Sequence, residues 1–329
     1  MVFLRMCAYL VPVLFLCAVA CAQENNRNLS NEVHAVIDTI ETDAGSDFIV
    51  EITEGIDPRY EPVIQRLLKD GWDESYVREL FADSTTVYIP KMVAIKPRKN
   101  MDAGNPYRWV DTEESSQACI EFINTHNSLL TSVENQYGVD KEVIAALLRC
   151  ETQHGTVTGD YHVLSVYASL TLMQESRAIS ENIKNAREVM KAEGKSTTHI
   201  NNEIAYIKLR SEKRGGWAYN ELKHLLRIHK SEGWDVRDLH GSRAGAFGWA
   251  QFLPSSYRRL AVDGNNDGKI DLYSPHDAIH SVANYLKRSG YRSGSTKHIK
   301  KALKSYNPST AYANSIHALS IRVKKDLGS

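Results

Sequence analysis

Residues 140–155 read Asp-Lys-Glu-Val-Ile-Ala-Ala-Leu-Leu-Arg-Cys-Glu-Thr-Gln-His-Gly. Asp140 is a helix-capping residue type, and a run of good helix formers follows it. Ile144, Leu147 and Leu148 lie seven, four and three residues before Glu151. Those offsets put all four side chains on one helical face, so the glutamate shares the face that a core would cover. A carboxyl group there is hard to ionise, and its pKa is expected to rise. A raised carboxyl is what a general acid needs to protonate a glycosidic oxygen near neutral pH. A glutamate near a helix end is more often merely solvated, so the chemistry depends on what surrounds Glu151.

Outward from that helix, Cys150-Glu151-Thr152-Gln153-His154-Gly155 resembles the ET-x-x-G signature of the lytic murein transglycosylases of the membrane-bound type B family. Residues 241–257, Gly-Ser-Arg-Ala-Gly-Ala-Phe-Gly-Trp-Ala-Gln-Phe-Leu-Pro-Ser-Ser-Tyr, resemble that family's GS-x-AGA-x-G-x-x-QF-x-PSSY block. Ser281-Val282-Ala283-Asn284-Tyr285 and Tyr306-Asn307-Pro308-Ser309-Thr310-Ala311-Tyr312 follow in the family's order. The resemblance runs from about Val63 to the C-terminus, more loosely before Phe122. An ordered set of blocks is far more specific than one short motif.

The resemblance implies a mainly α fold. Its lysozyme-like helical core would hold the catalytic cleft, beside an N-terminal helical subdomain and a minor extended or β element. It implies cleavage of the β-1,4 bond between N-acetylmuramic acid and N-acetylglucosamine in peptidoglycan, with a 1,6-anhydro ring formed on the muramic acid. Glu151 would act as acid and then as base, with no second carboxylate and no catalytic cofactor. Ser242 and Gln251 would bind polar groups of the sugar chain. Tyr285, Tyr306 and Tyr312 would line the cleft, with Asn307 as a polar contact. Tyrosine suits a sugar because it offers an apolar face and a polar tip, although each of these tyrosines alone would read as core. Tyr107, from the weakly matching N-terminal part, is a further cleft candidate. Two departures stand out: His154 occupies a position usually aromatic in the family, and residues 176–214 exceed the family's usual connection.

A second signal is Asp263-Gly264-Asn265-Asn266-Asp267-Gly268-Lys269. Oxygen-bearing side chains fall at positions 1, 3 and 5 of an EF-hand loop, Gly268 at position 6, and the Lys269 carbonyl at position 7. Position 12 is Ser274 in place of glutamate, so a standard EF-hand fails. The family resembled uses a longer loop closed by a later aspartate, and Asp277 stands there. The expected ligands are Asp263, Asn265, Asp267, Lys269 and Asp277, holding a structural Ca²⁺. The bland alternative is a solvated turn.

Of 329 residues, 40 are basic and 40 acidic, so no net charge points toward nucleic acid. Residues 1–22 carry Arg5, an apolar run and small residues before Cys21, as a secretory signal does. The run is too short to span a bilayer. Simple secretion and cleavage before Cys21, with lipidation of that cysteine, both remain open. The expected protein is exported and periplasmic, free or lipid-anchored, and monomeric, with peptidoglycan glycan strands as its partner. Residues 23–60 read as linker with a short helix near Val33–Ile40, 61–111 as an N-terminal subdomain, and 112–329 as the core. That core contains the helical insertion 176–214 and the loop 263–277. Pro62 and Asp73 open helices, residues 85–95 look extended, and 112–133 look like one long helix ended by Gly138. Residues 176–214 read as two helical pieces, with a further helix over 217–228. Cys119 and Cys150 are either paired or, as preferred, two small buried residues on neighbouring helices.

Three other readings compete. A lysozyme-type hydrolase would need a second carboxylate. A non-catalytic wall-binding protein would bind without cutting. Glu151-x-x-His154 and Glu221-x-x-His224 resemble half of a di-iron carboxylate site, but Gly155 follows His154 at once, where a bundle helix should continue.

Overall fold

The computed structural model describes residues 55–98 and 104–328. The secretory segment, Cys21 and the helix expected at 33–40 lie outside the described residues. A 3₁₀ turn at Pro58–Tyr60 leads into α1 (Glu61–Lys69), and α2 (Glu74–Ala82), α3 (Pro90–Val93), α4 (Glu113–Thr125), α5 (Asn127–Tyr137) and α6 (Lys141–Thr152) follow. Then come β1 (Tyr161–His162), α7 (Val163–Thr171), a 3₁₀ turn at Leu172–Gln174, α8 (Ser176–Ala192) and α9 (Thr197–Glu232). The chain closes with β2 (His240–Gly241), α10 (Pro254–Leu260), α11 (Pro275–Arg288), α12 (Thr296–Tyr306) and α13 (Thr310–Leu327). Among the described residues no helix is long and apolar enough to cross a membrane.

Local rules explain several boundaries. The Asp73 carboxylate accepts the Tyr76 amide at 2.8 Å and caps α2. Pro62 occupies the first turn of α1, where its missing N–H is harmless. Gly138 ends α5 in the left-handed conformation, at φ 67°.

Other boundaries differ from expectation. The one long helix expected over 112–133 is two, because the chain turns at His126 (φ −111°, ψ 26°). Asp140 precedes α6, yet its carboxylate makes no cap bond there. It accepts instead from Tyr291 Oη at 2.8 Å and Ser293 Oγ at 2.6 Å, and Glu134 takes the Lys141 amide at 3.0 Å. Residues 85–95, expected extended, contain α3 and no strand. Pro90 starts that turn, and the amides of Val87 and Ile89 donate to Ser165 and Ser169 on α7, in place of a sheet partner. The small β element lies elsewhere, where Tyr161 pairs with Gly241 and His162 with His240. The helix expected over 217–228 is the second half of α9, one helix of 36 residues. It runs through Gly215-Gly216 because Gly215 lies tight against Gln174, and a Cβ there would come within 2.9 Å of that residue.

Two packing groups result. Helix α9 lies on α7 and α8, while α6 is sandwiched between α4 and α13. Ile144, Leu147 and Leu148 are fully buried in the second group, as the periodicity of α6 requires.

Candidate active site

Glu151 occupies the last turn of α6, half-buried, on a helix that is buried on nearly all sides. The helix stops there because Gln153, His154 and Gly155 are all left-handed, at φ 50°, 58° and 87°. Gly155 has no alternative: a Cβ would sit 2.0 Å from the Trp249 ring. Thr152 pins the same junction. Its hydroxyl donates to the Trp249 carbonyl at 2.9 Å and accepts the Gly155 amide at 3.0 Å. The residue next to Glu151 thus ties its helix end to the 241–252 segment. The ET-x-x-G resemblance contained Thr152 and Gly155 but gave Thr152 no role, and Trp249 stands at an open position of the 241–257 block.

Tyr312 reaches Glu151 directly, its hydroxyl donating to Glu151 Oε1 at 2.5 Å. It stands in the first turn of α13, where Ser309 Oγ accepts its amide at 3.2 Å. Tyr107 packs edge-on against Tyr312, ring centroids 5.4 Å apart. Asn307 Nδ2 donates to Tyr107 Oη at 3.3 Å, and its Oδ1 accepts the Ser309 amide at 3.0 Å. Three candidates from the sequence, Tyr107, Asn307 and Tyr312, are therefore brought together beside Glu151. A phenol donating to a carboxylate oxygen both orients it and stabilises its charged form.

The 241–252 segment is a compact double turn. Ser242 is buried, and its Oγ accepts the amides of Ala244 and Ala246 at 3.3 and 3.2 Å. Gln251 is 1% exposed and left-handed at φ 49°. Its Nε2 donates to the carbonyls of Thr158 and Gly248 at 3.0 and 2.9 Å, while its buried Oε1 has no partner. A buried acceptor so left is costly, and a hydroxyl or amide would satisfy it.

Tyr285 and Tyr306, expected to line the cleft, are 3% and 2% exposed. Their hydroxyls donate to the backbone carbonyls of Ser305, at 2.6 Å, and of Ala250. With Phe252 they form an aromatic cluster beneath the turn that carries Gln251. Their place is that of a floor under the segment.

His154 turns inward. Its ring stacks on Phe122, centroids 4.3 Å apart and planes 5° from parallel, with Nε2 3.0 Å from the Ala145 carbonyl. Burial pulls its pKa down to about 4, against a smaller upward pull from that hydrogen bond. The ring is thus neutral at pH 7 and packs as the aromatic residue it replaces would.

The two Glu-x-x-His motifs do not converge. Glu221 is buried on α9 and receives the Ser255 amide at 2.9 Å and hydroxyl at 2.8 Å. Burial raises its pKa, outweighing those two bonds. His224 lies 3.1 Å from Arg258.

In the acidic loop, Asp277 ties the two ends together. Its carboxylate accepts the Gly264 amide at 2.7 Å and the Asp271 amide at 2.6 Å. Asp263 accepts from Asp267 and Gly268, and Asp267 from Lys269. Among the described residues no three His, Cys, Asp or Glu side chains gather closely enough to hold a metal by themselves. The oxygen-only donor types remain those of a hard divalent cation.

The profile of the transglycosylase SLT domain family matches residues 56–300 of this chain, well over half of it. The membrane-bound lytic murein transglycosylase B of Escherichia coli strain K12 is 31% identical over 183 residues, which span 56% of this chain and 40% of that relative. The chain thus matches less than half the length of that curated relative. Solved structures share the fold. The Escherichia coli lytic transglycosylase SLT35 in complex with bulgecin A superposes with a TM-score of 0.62 at 22% identity, covering 84% of this chain and 98% of that one. SLT35 has also been solved in complex with calcium, with the same TM-score, 0.62, and identity, 22%, covering 84% of this chain and 97% of that one. Soluble lytic transglycosylase SltB1 from Pseudomonas aeruginosa gives 0.63 at 20% identity, covering 83% and 100%.

Proposed function

The chain belongs to the transglycosylase SLT domain family, and from that premise we propose that it is a lytic transglycosylase cutting peptidoglycan glycan strands. The observation that carries the reading is the half-buried Glu151 carboxyl, held at a helix end by the Tyr312 hydroxyl. In its protonated form Glu151 gives its proton to the glycosidic oxygen between N-acetylmuramic acid and N-acetylglucosamine, and that C–O bond breaks. The substrate's N-acetyl group supports the cationic centre at C1. The resulting carboxylate takes the proton from the C6 hydroxyl of the same muramic acid, whose oxygen closes on C1. A 1,6-anhydro ring forms, no water is consumed, and Glu151 returns to its starting state. Tyr312 steadies the carboxylate between the two transfers. Gln251 Oε1 accepts from the sugar chain, while Ser242 shapes the turn beside it.

Asp263, Asn265, Asp267, Asp277 and the Lys269 carbonyl would hold a Ca²⁺ ion that ties the loop to α11 and takes no part in the chemistry. The proposal extends to a monomer that is exported to the periplasm and, where cleavage precedes Cys21, anchored by lipid.

Digestion of purified peptidoglycan with products weighed by mass spectrometry tests this. Fragments one water lighter than hydrolysis products are expected; fully hydrated ends would assign the site to a lysozyme-type hydrolase. Glu151→Gln is expected to abolish cleavage with an unchanged circular dichroism spectrum. A variant as active as the parent would remove Glu151 from the mechanism.

A further inference from the structure

The second Glu-x-x-His motif lies on a surface that the reaction above does not use. His224 stands among cations: Lys223 and Arg227 beside it on α9, and Arg258 and Arg259 in the last turn of α10. Arg258 donates to His224 Nδ1 at 3.1 Å. Burial first, then Arg258, Arg227, Arg259 and Lys223, hold the His224 pKa down to about 4, so all four cations lie within electrostatic range of one ring. Arg288, in the last turn of α11, reaches the Arg259 carbonyl at 3.4 Å and extends the same surface. Arg227, Arg258, Arg259 and Arg288 are all exposed.

Two carboxylates approach these cations. Asp70 binds Lys223 Nζ at 3.0 Å. Glu221 is buried, bonded to Ser255, with Arg259 acting on it more weakly. The other contacts are of a different kind. Arg227 lies 5.9 Å over the Trp72 ring, Arg258 meets His224, and Arg288 meets a backbone carbonyl. The C-terminus of a helix favours a cation, which accounts for Arg258 and Arg288 one at a time. Lys223 and Arg227 lie before the last turn of α9, so that reason does not cover them. Like charges gathered on one exposed surface repel each other, and an anionic partner turns the repulsion into binding.

The arrangement says what kind of anion fits. Long exposed side chains spread over three helices suit many phosphates on a surface better than one bound ion. Trp72, in the turn between α1 and α2, is half-buried and stacked on Tyr76, ring centroids 6.2 Å apart and planes 18° from parallel. Tyr76 Oη donates to the Leu226 carbonyl at 3.2 Å, which ties that pair to α9 beside Arg227. Tryptophan next to arginine suits a lipid headgroup region, where the indole meets the apolar boundary and the cation meets phosphate. A dissolved acidic polymer has no such use for the indole. We infer that the face built by Lys223, Arg227, Arg258, Arg288 and Trp72 docks on an anionic phospholipid surface. The docking goes beyond the transglycosylase reading and needs neither cleavage nor acylation of Cys21. Where that cysteine is acylated, the face supplies the second signal that a single lipid chain requires for stable anchoring. Helix α10, seven residues long, separates the Gln251 turn from the cationic end by about 10 Å, so a docked protein works on strands next to the bilayer.

The test is sedimentation of the purified, unacylated protein with two kinds of vesicle: phosphatidylcholine alone, and phosphatidylcholine with phosphatidylglycerol in a two-to-one ratio. The parent is expected to bind the anionic vesicles and not the neutral ones, and to let go in high salt. Arg227→Gln with Arg258→Gln should weaken that binding by about thirtyfold, about fivefold for each charge at the surface. Lys184→Gln with Lys191→Gln removes as much charge from α8 and should leave binding within about twofold of the parent. Cleavage of soluble strands should be the same in all three proteins, since neither pair touches Glu151. No binding to anionic vesicles, equal binding to neutral ones, or an equal loss in the two double variants would overturn the inference. So would binding to a dissolved polyanion such as polyglutamate with none to vesicles, which would assign the face to a soluble polymer. Vesicle binding by a protein that cuts no strand would leave the docking standing and sink the transglycosylase reading alone.

Discussion

Replacing His154 by phenylalanine should remove a specific part of the acid sensitivity of folding. The imidazole lies flat on Phe122 and bonds the Ala145 carbonyl, with its pKa held at about 4 against an ordinary 6.5. The folded pKa is the lower one, so the neutral ring is the form the fold favours. Above 6.5 both states leave the ring neutral, and stability is full. As pH falls toward 4 the unfolded chain takes up a proton that the folded chain refuses, and stability is lost. At about 1.4 kcal/mol per pH unit, the gap is worth roughly 1.4 kcal/mol at pH 5.5 and roughly 3 kcal/mol at pH 4. Phenylalanine keeps the stack and cannot titrate. Urea unfolding at several pH values between 7.5 and 4 would give both stability curves. Their difference isolates His154, because other groups, such as His224 with its pKa also lowered to about 4, titrate in both proteins. The parent should lose more stability than His154→Phe by about those amounts. Parallel curves would show that the buried ring is not what couples the fold to acid.

Other expectations follow from single contacts. Tyr312→Phe removes the bond to Glu151 and should lower kcat by roughly 10- to 100-fold, the equivalent of about 1.5–3 kcal/mol, with little change in thermal midpoint; unimpaired turnover would show the bond to be incidental. Gly155→Ala forces a methyl group into the Trp249 ring at φ 87°, and a loss of about 2–4 kcal/mol in chemical denaturation is expected. Asp277→Ala frees the amides of Gly264 and Asp271 and should cost about 2–4 kcal/mol. Calcium should raise the midpoint of the parent and not of this variant; an equal rise in both would place the ion elsewhere.

Where the sequence was legible, the determinants were local. Asp73 caps a helix and Gly138 ends one through atoms within four residues of themselves. The burial of Ile144, Leu147 and Leu148 followed from a spacing of three and four. The misreadings involve distant partners. Asp140 is drawn from its capping role by Tyr291 and Ser293, about 150 residues away. Helix α9 continues through two glycines because close packing on Gln174 outweighs their poor propensity. The break at His126 contains neither glycine nor proline, so no breaker marked it. In the site, motif order pointed to Tyr312 and Asn307, but not to where each hydroxyl goes. Tyr285 and Tyr306 direct theirs to backbone carbonyls of other segments, which only the folded chain can reveal.

Cys119 on α4 and Cys150 on α6 are both free and buried. Burial raises the Cys119 thiol to about 12 and the Cys150 thiol well above its ordinary value. Only a thiolate attacks a disulfide or meets an oxidant readily, and at pH 7 these two groups are almost wholly protonated. The two thiols thus behave as small hydrophobes. Refolding of residues 55–328 should proceed at one yield across glutathione ratios, and storage in air should leave both thiols titratable after denaturation. A core closed in this way needs no oxidative step to complete it.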